Sequence, residues 1–175
     1  MERMMTKRRY KDCPSYDNNY IIQLLDNYRN HPAILHFPNI HFYDSKLRAK
    51  ALQQKGGKFP IVFQCTKKPS RIELNGTSSY NDTEVKIVKS YVDVLLRKGL
   101  KQLDIGIISP YKAQLSKLHT ILGKLTDIEI GTAEYYQGRE KNVIIISTVK
   151  SQSAVGFLKS EKVDWRLHSK MMNNI

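Results

Sequence analysis

Ile128-Glu-Ile-Gly-Thr-Ala-Glu-Tyr-Tyr-Gln-Gly-Arg-Glu-Lys-Asn-Val-Ile-Ile-Ile-Ser-Thr-Val-Lys150 divides into a short strand, a polar loop with one glycine, and a continuous apolar run from Val143 to Val149. A run that apolar predicts a strand buried on both faces, the habit of parallel sheets covered by helices. The loop carries Gln137, Gly138, Arg139, Glu140 and Lys141, more hydrogen-bonding capacity than a tight connection needs. Polar groups gathered at the ends of parallel strands are where α/β proteins bind ligands. The loop is therefore the expected centre of a site, and the rest of the chain its scaffold.

Working outward, Asp104-Ile-Gly-Ile-Ile-Ser109 predicts a second buried strand. Pro110 opens a helix with Leu115, Leu118, Leu122 and Leu125 on one stripe. Upstream, Asn81-Asp82-Thr83-Glu84 has capping-box spacing and starts a helix with Val85, Val88, Val92 and Leu95 on one face; Gly99 ends it. Phe59 to Gln64 reads as a strand, Gly56-Gly57 as a flexible connection, and Thr66 to Thr77 as a basic loop. Near the start, Asp17 or Asn18 caps a helix with Ile21, Leu24 and Leu25 as its stripe, leading into Tyr28-Arg29. Pro32 fits the first turn of a short helix, Ala33 to Phe37, which Pro38 stops. Phe42, Tyr43 and Leu47 are expected to pack on an irregular segment. Strand–helix alternation of this kind predicts an α/β fold with a mainly parallel sheet flanked by helices.

The 175 residues suit one domain with small appendages: residues 1–16 irregular or partly helical, residues 17–158 the folded lobe, residues 159–175 a divergent, loosely ordered tail. Lys+Arg number 29 against Asp+Glu 16, a formal net charge of +13, which favours a polyanionic partner through counterion release. Cys13 and Cys65 have no metal spacing, and neither a signal peptide nor a membrane span is visible, so the expected setting is cytosolic or nuclear with no membrane partner.

Self-contained sites are missing from the sequence. Gly57-Lys58 continues with Phe59 and Gly123-Lys124 with Leu125, so no phosphate-cradling G-x-x-x-x-G-K-[ST] occurs. No G-x-G-x-x-G follows a strand. His31, His36 and His41 recur at intervals that scatter around a helix, which points to surface or cap histidines rather than a metal site. What remains is a set of partial sites at element ends: Tyr28-Arg29, then Ser109-Pro110-Tyr111-Lys112 where a strand meets a helix N-terminus, then Thr132 with Gln137 to Glu140.

These groups carry a resemblance. Tyr28-Arg29-Asn30-His31-Pro32 resembles the Y-R-x-H-P motif of Upf-like superfamily 1 helicases. Ile105 to Gln114 is similar to their I-G-V-I-[ST]-P-Y-[KR]-x-Q segment. Gly131-Thr132 with Gln137-Gly138-Arg139-Glu140-Lys141-Asn142-Val143 resembles their motif V. The three agree in order and spacing over about residues 17 to 158, and Leu25-Asp26-Asn27-Tyr28-Arg29 looks closest to the Armitage/SDE branch, RNA helicases of RNA silencing. The resemblance implies a second RecA-like lobe, with ATP and Mg²⁺ held between two lobes and single-stranded RNA running across both. Chemistry alone does not separate RNA from DNA. By motif, Tyr28 would lie near adenine and Arg29 would reach the γ-phosphate as the catalytic group. Glu140 would accept from the ribose hydroxyl, with Gln137 and Gly138 lining the cleft. Ser109, Pro110 and Thr132 would contact the sugar-phosphate backbone.

Two departures stand out. Glu134 and Tyr135 replace an aspartate and a small or acidic residue, and Lys162 to Lys170 does not match motif VI with its second arginine. The expectation is a truncated half of an ATP-dependent RNA helicase of gene silencing, cytoplasmic and in ribonucleoprotein granules. It would need the first RecA-like lobe as its partner, bind neither ATP nor Mg²⁺ tightly by itself, and be inactive alone. The alternatives are a non-catalytic RNA- or protein-binding module and an inactive truncated product.

Overall fold

A computed structural model describes residues 24–51, 60–66, 68–74 and 76–150. Its elements are β1 (Asp26–Asn27), α1 (Pro32–Phe42), β2 (Arg48–Ala49), β3 (Arg71–Ile72), β4 (Ser79–Tyr80), α2 (Asp82–Arg97), β5 (Ile105–Ile108), α3 (Lys112–Leu122), β6 (Glu129–Gly131) and β7 (Val143–Ile146). Among the described residues the main sheet is parallel throughout, in the order β6–β5–β7. The fold is α/β and RecA-like, as the alternation predicts.

β5 is buried at all four residues because it is central. Its Ile105 and Ile107 face Val85, Val88 and Val92 of α2 and Leu118 and Leu122 of α3. On the other side, Ile108 packs with Tyr111, Ala133, Tyr136 and Val149. The second face is therefore covered by the β6–β7 connection itself. Two parallel strands on either side of β5 can be joined only if the chain returns from the carboxyl end of β6 to the amino end of β7, and residues 132–142 make that return across the sheet. Tyr136 is the strut: its hydroxyl accepts from Ile107 N–H (3.1 Å) and donates to Glu129 O (2.6 Å). Gly106 makes room, since a Cβ there would meet Tyr136 Oη at 2.6 Å and Ile144 Cδ1 at 2.8 Å.

α2 follows its expected stripe and ends on a Schellman motif, with Gly99 at φ +90 and Leu100 N–H reaching Leu95 O. Asn81 caps it, accepting from Thr83 and Glu84 N–H. The reciprocal half of the capping box does not form. Glu84 instead accepts from the Ser147 hydroxyl (2.6 Å) and Val149 N–H (3.0 Å).

Several expectations are corrected. α1 does not stop at Pro38 but runs through it to Phe42; Pro38 is buried, and tertiary packing outweighs its missing N–H. Phe42 therefore lies on this helix, 45% exposed, rather than packing on an irregular segment. Residues 60–64 form no ladder, and Val62 and Phe63 are largely exposed. The basic loop contains β3, which pairs antiparallel with β4 just beyond the loop. The apolar run is shorter as a strand than expected: β7 ends at Ile146, and Val149 turns to φ +68. β7 is half-buried rather than enclosed, because among the described residues no strand pairs with its outer edge. Leu24 and Leu25 are not helical, and the rest of the first predicted helix lies outside the described residues, as do Gly56-Gly57, residues 1–16 and 159–175.

Candidate functional site

Tyr28 and Arg29 follow a two-residue strand rather than a helix. β1 pairs with β2, and Asn27 then accepts from both Arg29 N–H (3.1 Å) and Asn30 N–H (2.7 Å). This Asx-type turn projects residues 28 and 29 outward; Tyr28 is 74% exposed. His31 closes the turn by capping α1, its Nδ1 accepting from Ala33 N–H at 3.1 Å. Across from this turn stands Glu140, whose carboxylate lies 2.6 Å from Arg29 Nη2. Asn27, Tyr28, Arg29 and Glu140 line an open hollow of about 470 Å³. An exposed aromatic, a guanidinium and a carboxylate in one hollow suit a planar ring, an anionic group and a hydroxyl respectively. Both ionic groups are about half exposed, so the pair contributes only about 0.2–1 kcal/mol and opens readily for a ligand.

The polar loop is held toward the amino ends of the strands, not at the carboxyl ends where open α/β sheets usually bind ligands. Lys141 donates to Leu103 O (2.8 Å) and pairs with Glu129 (2.9 Å), Arg139 pairs with Glu129 (3.2 Å), and Asn142 bonds Asp104. The hydrogen bond from Lys141, reinforced by the charges of Lys141 and Arg139, holds the Glu129 carboxyl below its ordinary value against the opposing effect of desolvation. Gly138 adopts φ +81 in a turn closed by Arg139 N–H to Tyr136 O, a conformation that costs glycine little. Gln137 and Gly138 are exposed and lead directly into Glu140.

Ser109 and Thr132 lie at the opposite, carboxyl edge. Ser109 N–H bonds Gly131 O, which places both residues in one row. Ser109 is fully buried, so its side chain supports the rim rather than forming its surface. Pro110 and Thr132 are partly exposed there, and Thr132 Oγ1 accepts from Tyr135 N–H (3.3 Å). The expected site residues thus separate into two groups at the two ends of the sheet.

The sequence is matched over residues 1–163 by a family described as an AAA domain. The helicase-named mov-10-B.1 of Danio rerio is 35% identical, over 93% of this chain and 20% of its own length. RNA helicase Mov10l1 of Mus musculus is 32% identical, over 93% and 16%. DNA polymerase alpha-associated DNA helicase A of Saccharomyces cerevisiae is 35% identical, over 77% and 24%. The chain belongs to the Upf-like superfamily 1 helicases. It spans about a fifth of the length of the first relatives it matches.

Within this helicase lobe, sequence reasoning missed three positioning residues. Asn27 was legible as an Asx-turn residue two before Arg29. Glu84 was read as a box residue because spacing does not reveal long-range acceptors. Gln114 closes the Ile105–Gln114 motif, but its role is not readable there: fully buried, it accepts from Asn81 N–H (2.8 Å) and donates to Ser147 Oγ (2.8 Å), joining α2, α3 and the end of β7. Among the described residues no group of three or more His, Cys, Asp and Glu is placed to hold a metal, and no helix is long and apolar enough to cross a membrane.

Proposed function

We propose that this chain is one half of an ATP-dependent RNA helicase, contributing the second lobe of the nucleotide cleft and a face that binds single-stranded RNA. The hollow in which Arg29 meets Glu140, with Tyr28 exposed beside it, carries this reading. ATP fits those groups: Tyr28 stacks the adenine, Arg29 takes the γ-phosphate as the catalytic cation, and Glu140 accepts from the ribose hydroxyl. Gln137 and Gly138 form the exposed approach to Glu140. The sequence contains no phosphate-cradling G-x-x-x-x-G-K-[ST], and in this reading the phosphate cradle and the Mg²⁺-binding acid are contributed by the first RecA-like lobe. Bound ATP with Mg²⁺ would supply the γ-phosphoryl group that passes to water, and lobe closure around the nucleotide would couple that hydrolysis to movement on the strand; this chain's part is to orient the nucleotide and stabilise charge.

At the carboxyl edge, Pro110 and Thr132 touch the RNA backbone, with Ser109 fixing their height from beneath. Coverage favours the RNA branch: 93% of the chain aligns with the mov-10 relatives and 77% with the yeast DNA helicase. The cellular role we propose with this reading, on the motif resemblance, is RNA-mediated silencing in the cytoplasm, in ribonucleoprotein granules. Titration of the purified chain with ATP, followed by phosphorus and proton NMR, tests the cleft. Arg29→Ala should abolish the γ-phosphate shift and Tyr28→Ala the adenine proton shifts, while neither changes RNA binding. Shifts that survive both substitutions would overturn the assignment.

A further inference from the structure

The β6–β7 connection carries an aromatic that the two sites above do not use. Tyr135 is 44% exposed and stands where motif V usually has a small or acidic residue. Its ring lies against Gly131, where any Cβ would collide with the Cγ and Cβ of Tyr135. Tyr136 meets it edge-on, with centroids 5.6 Å apart, and Thr132 Oγ1 accepts from its N–H. Over the ring lies the Arg139 guanidinium, 4.3 Å from the centroid, with Nη1 3.2 Å from Glu129 Oε2. Arg139 is thus held from beneath by an aromatic face and at its edge by a carboxylate that Lys141 keeps ionised, yet its side chain is 48% exposed.

We propose that the Tyr135–Arg139 pair is a stacking platform for one base of a single strand, reaching along β6 from the backbone contact at Thr132 toward Glu129. The inference rests on the reading of the carboxyl edge as RNA-binding. A planar, weakly hydrated guanidinium on an aromatic ring stacks against the π-face that every base presents, without reading sequence. A surface of this kind discriminates single strands from duplexes, in which the base faces are already stacked.

The test is equilibrium binding of the full chain to a labelled oligouridylate of about twelve nucleotides and to an abasic oligonucleotide of equal length. Arg139→Lys keeps the charge and loses the plane; Tyr135→Ala removes the support. Each should weaken oligouridylate binding about five-fold or more and leave abasic binding nearly unchanged, while Tyr135→Phe should bind as wild type. Oligouridylate binding unaffected by Arg139→Lys and Tyr135→Ala, or equal losses on both ligands, would overturn the platform. If Thr132→Ala weakens both ligands while the stacking variants do nothing, only the platform fails. If the wild-type chain binds neither ligand, the reading of the edge fails and takes the platform with it.

Discussion

At the scale of single residues, Tyr136 shows how much one side chain settles. Its hydroxyl is the only atom of the ring that can hydrogen-bond, and it joins the middle of β5 to the start of β6 from within the core. Burial raises its pKa far above the ordinary tyrosine value, so the hydroxyl stays protonated in the fold. The unfolded chain ionises near pH 10, so this group's contribution is complete below that pH and is lost as pH rises beyond it. Tyr136→Phe should cost about 1–3 kcal/mol at neutral pH, from the buried Ile107 N–H left without its acceptor. The same variant should show a shallower loss of stability between pH 9 and 11 than wild type (both figures about one unit either side of the tyrosine pKa). Urea denaturation across that range measures both. An alkaline limb unchanged in Tyr136→Phe would show that the tyrosine is not the titrating group. The roles proposed for Tyr28, Arg29 and Glu140 rest on a motif resemblance; that the three line one hollow depends on a chain separation that spacing cannot encode.

Among elements, the most periodic were the most legible. α2 buries its expected Val85, Val88 and Val92, and β5 lies where its apolar run placed it; α3 buries Leu118 and Leu122 of its expected stripe, while Leu115 is half-buried and Leu125 lies past the helix end. α1 was misjudged because proline in a helix is a local cost that burial of Ile34, Leu35 and Pro38 overrides. The stretch from Pro60 to Gln64 was misjudged because β-branched composition describes fitness for a sheet, not the presence of a partner strand. The start of α2 holds two separable devices. Asn81→Ala should destabilise by about 1–2 kcal/mol through lost capping, with faster amide exchange at Thr83 and Glu84. Glu84→Ala should cost about 1–3 kcal/mol by stranding Val149 N–H, with faster exchange at Val149 while the first turn of α2 stays protected. Exchange mass spectrometry with fragment resolution distinguishes them; identical patterns in the two variants would mean the cap and the clamp are one unit.

For the whole molecule, the alternation of elements was enough to indicate the α/β lobe, and the net charge of +13 supports the proposal of a polyanionic partner. The resemblance divides Gln137, Gly138 and Glu140 from Ser109, Pro110 and Thr132; that the two groups lie at opposite ends of the sheet follows from the direction of the β6–β7 return. Within the 175 residues no P-loop occurs, so the purified chain should show no ATP turnover above buffer while retaining RNA binding that falls steeply with salt. Phosphate release assays and binding isotherms at several salt concentrations check this; robust turnover would contradict it.

The β6–β7 return also sets a rule for length variation. It bridges the sheet from one end to the other, about 10 Å for strands of three or four residues, and is pinned midway by Tyr136. One residue inserted after Gly138 would displace Glu140 from Arg29 yet leave Tyr136 and Thr132 in place. An insertion before Tyr136 would unseat the strut as well. Related sequences should therefore tolerate indels in the exposed β3–β4 hairpin, where Leu74 is fully exposed, and reject them between residues 132 and 142.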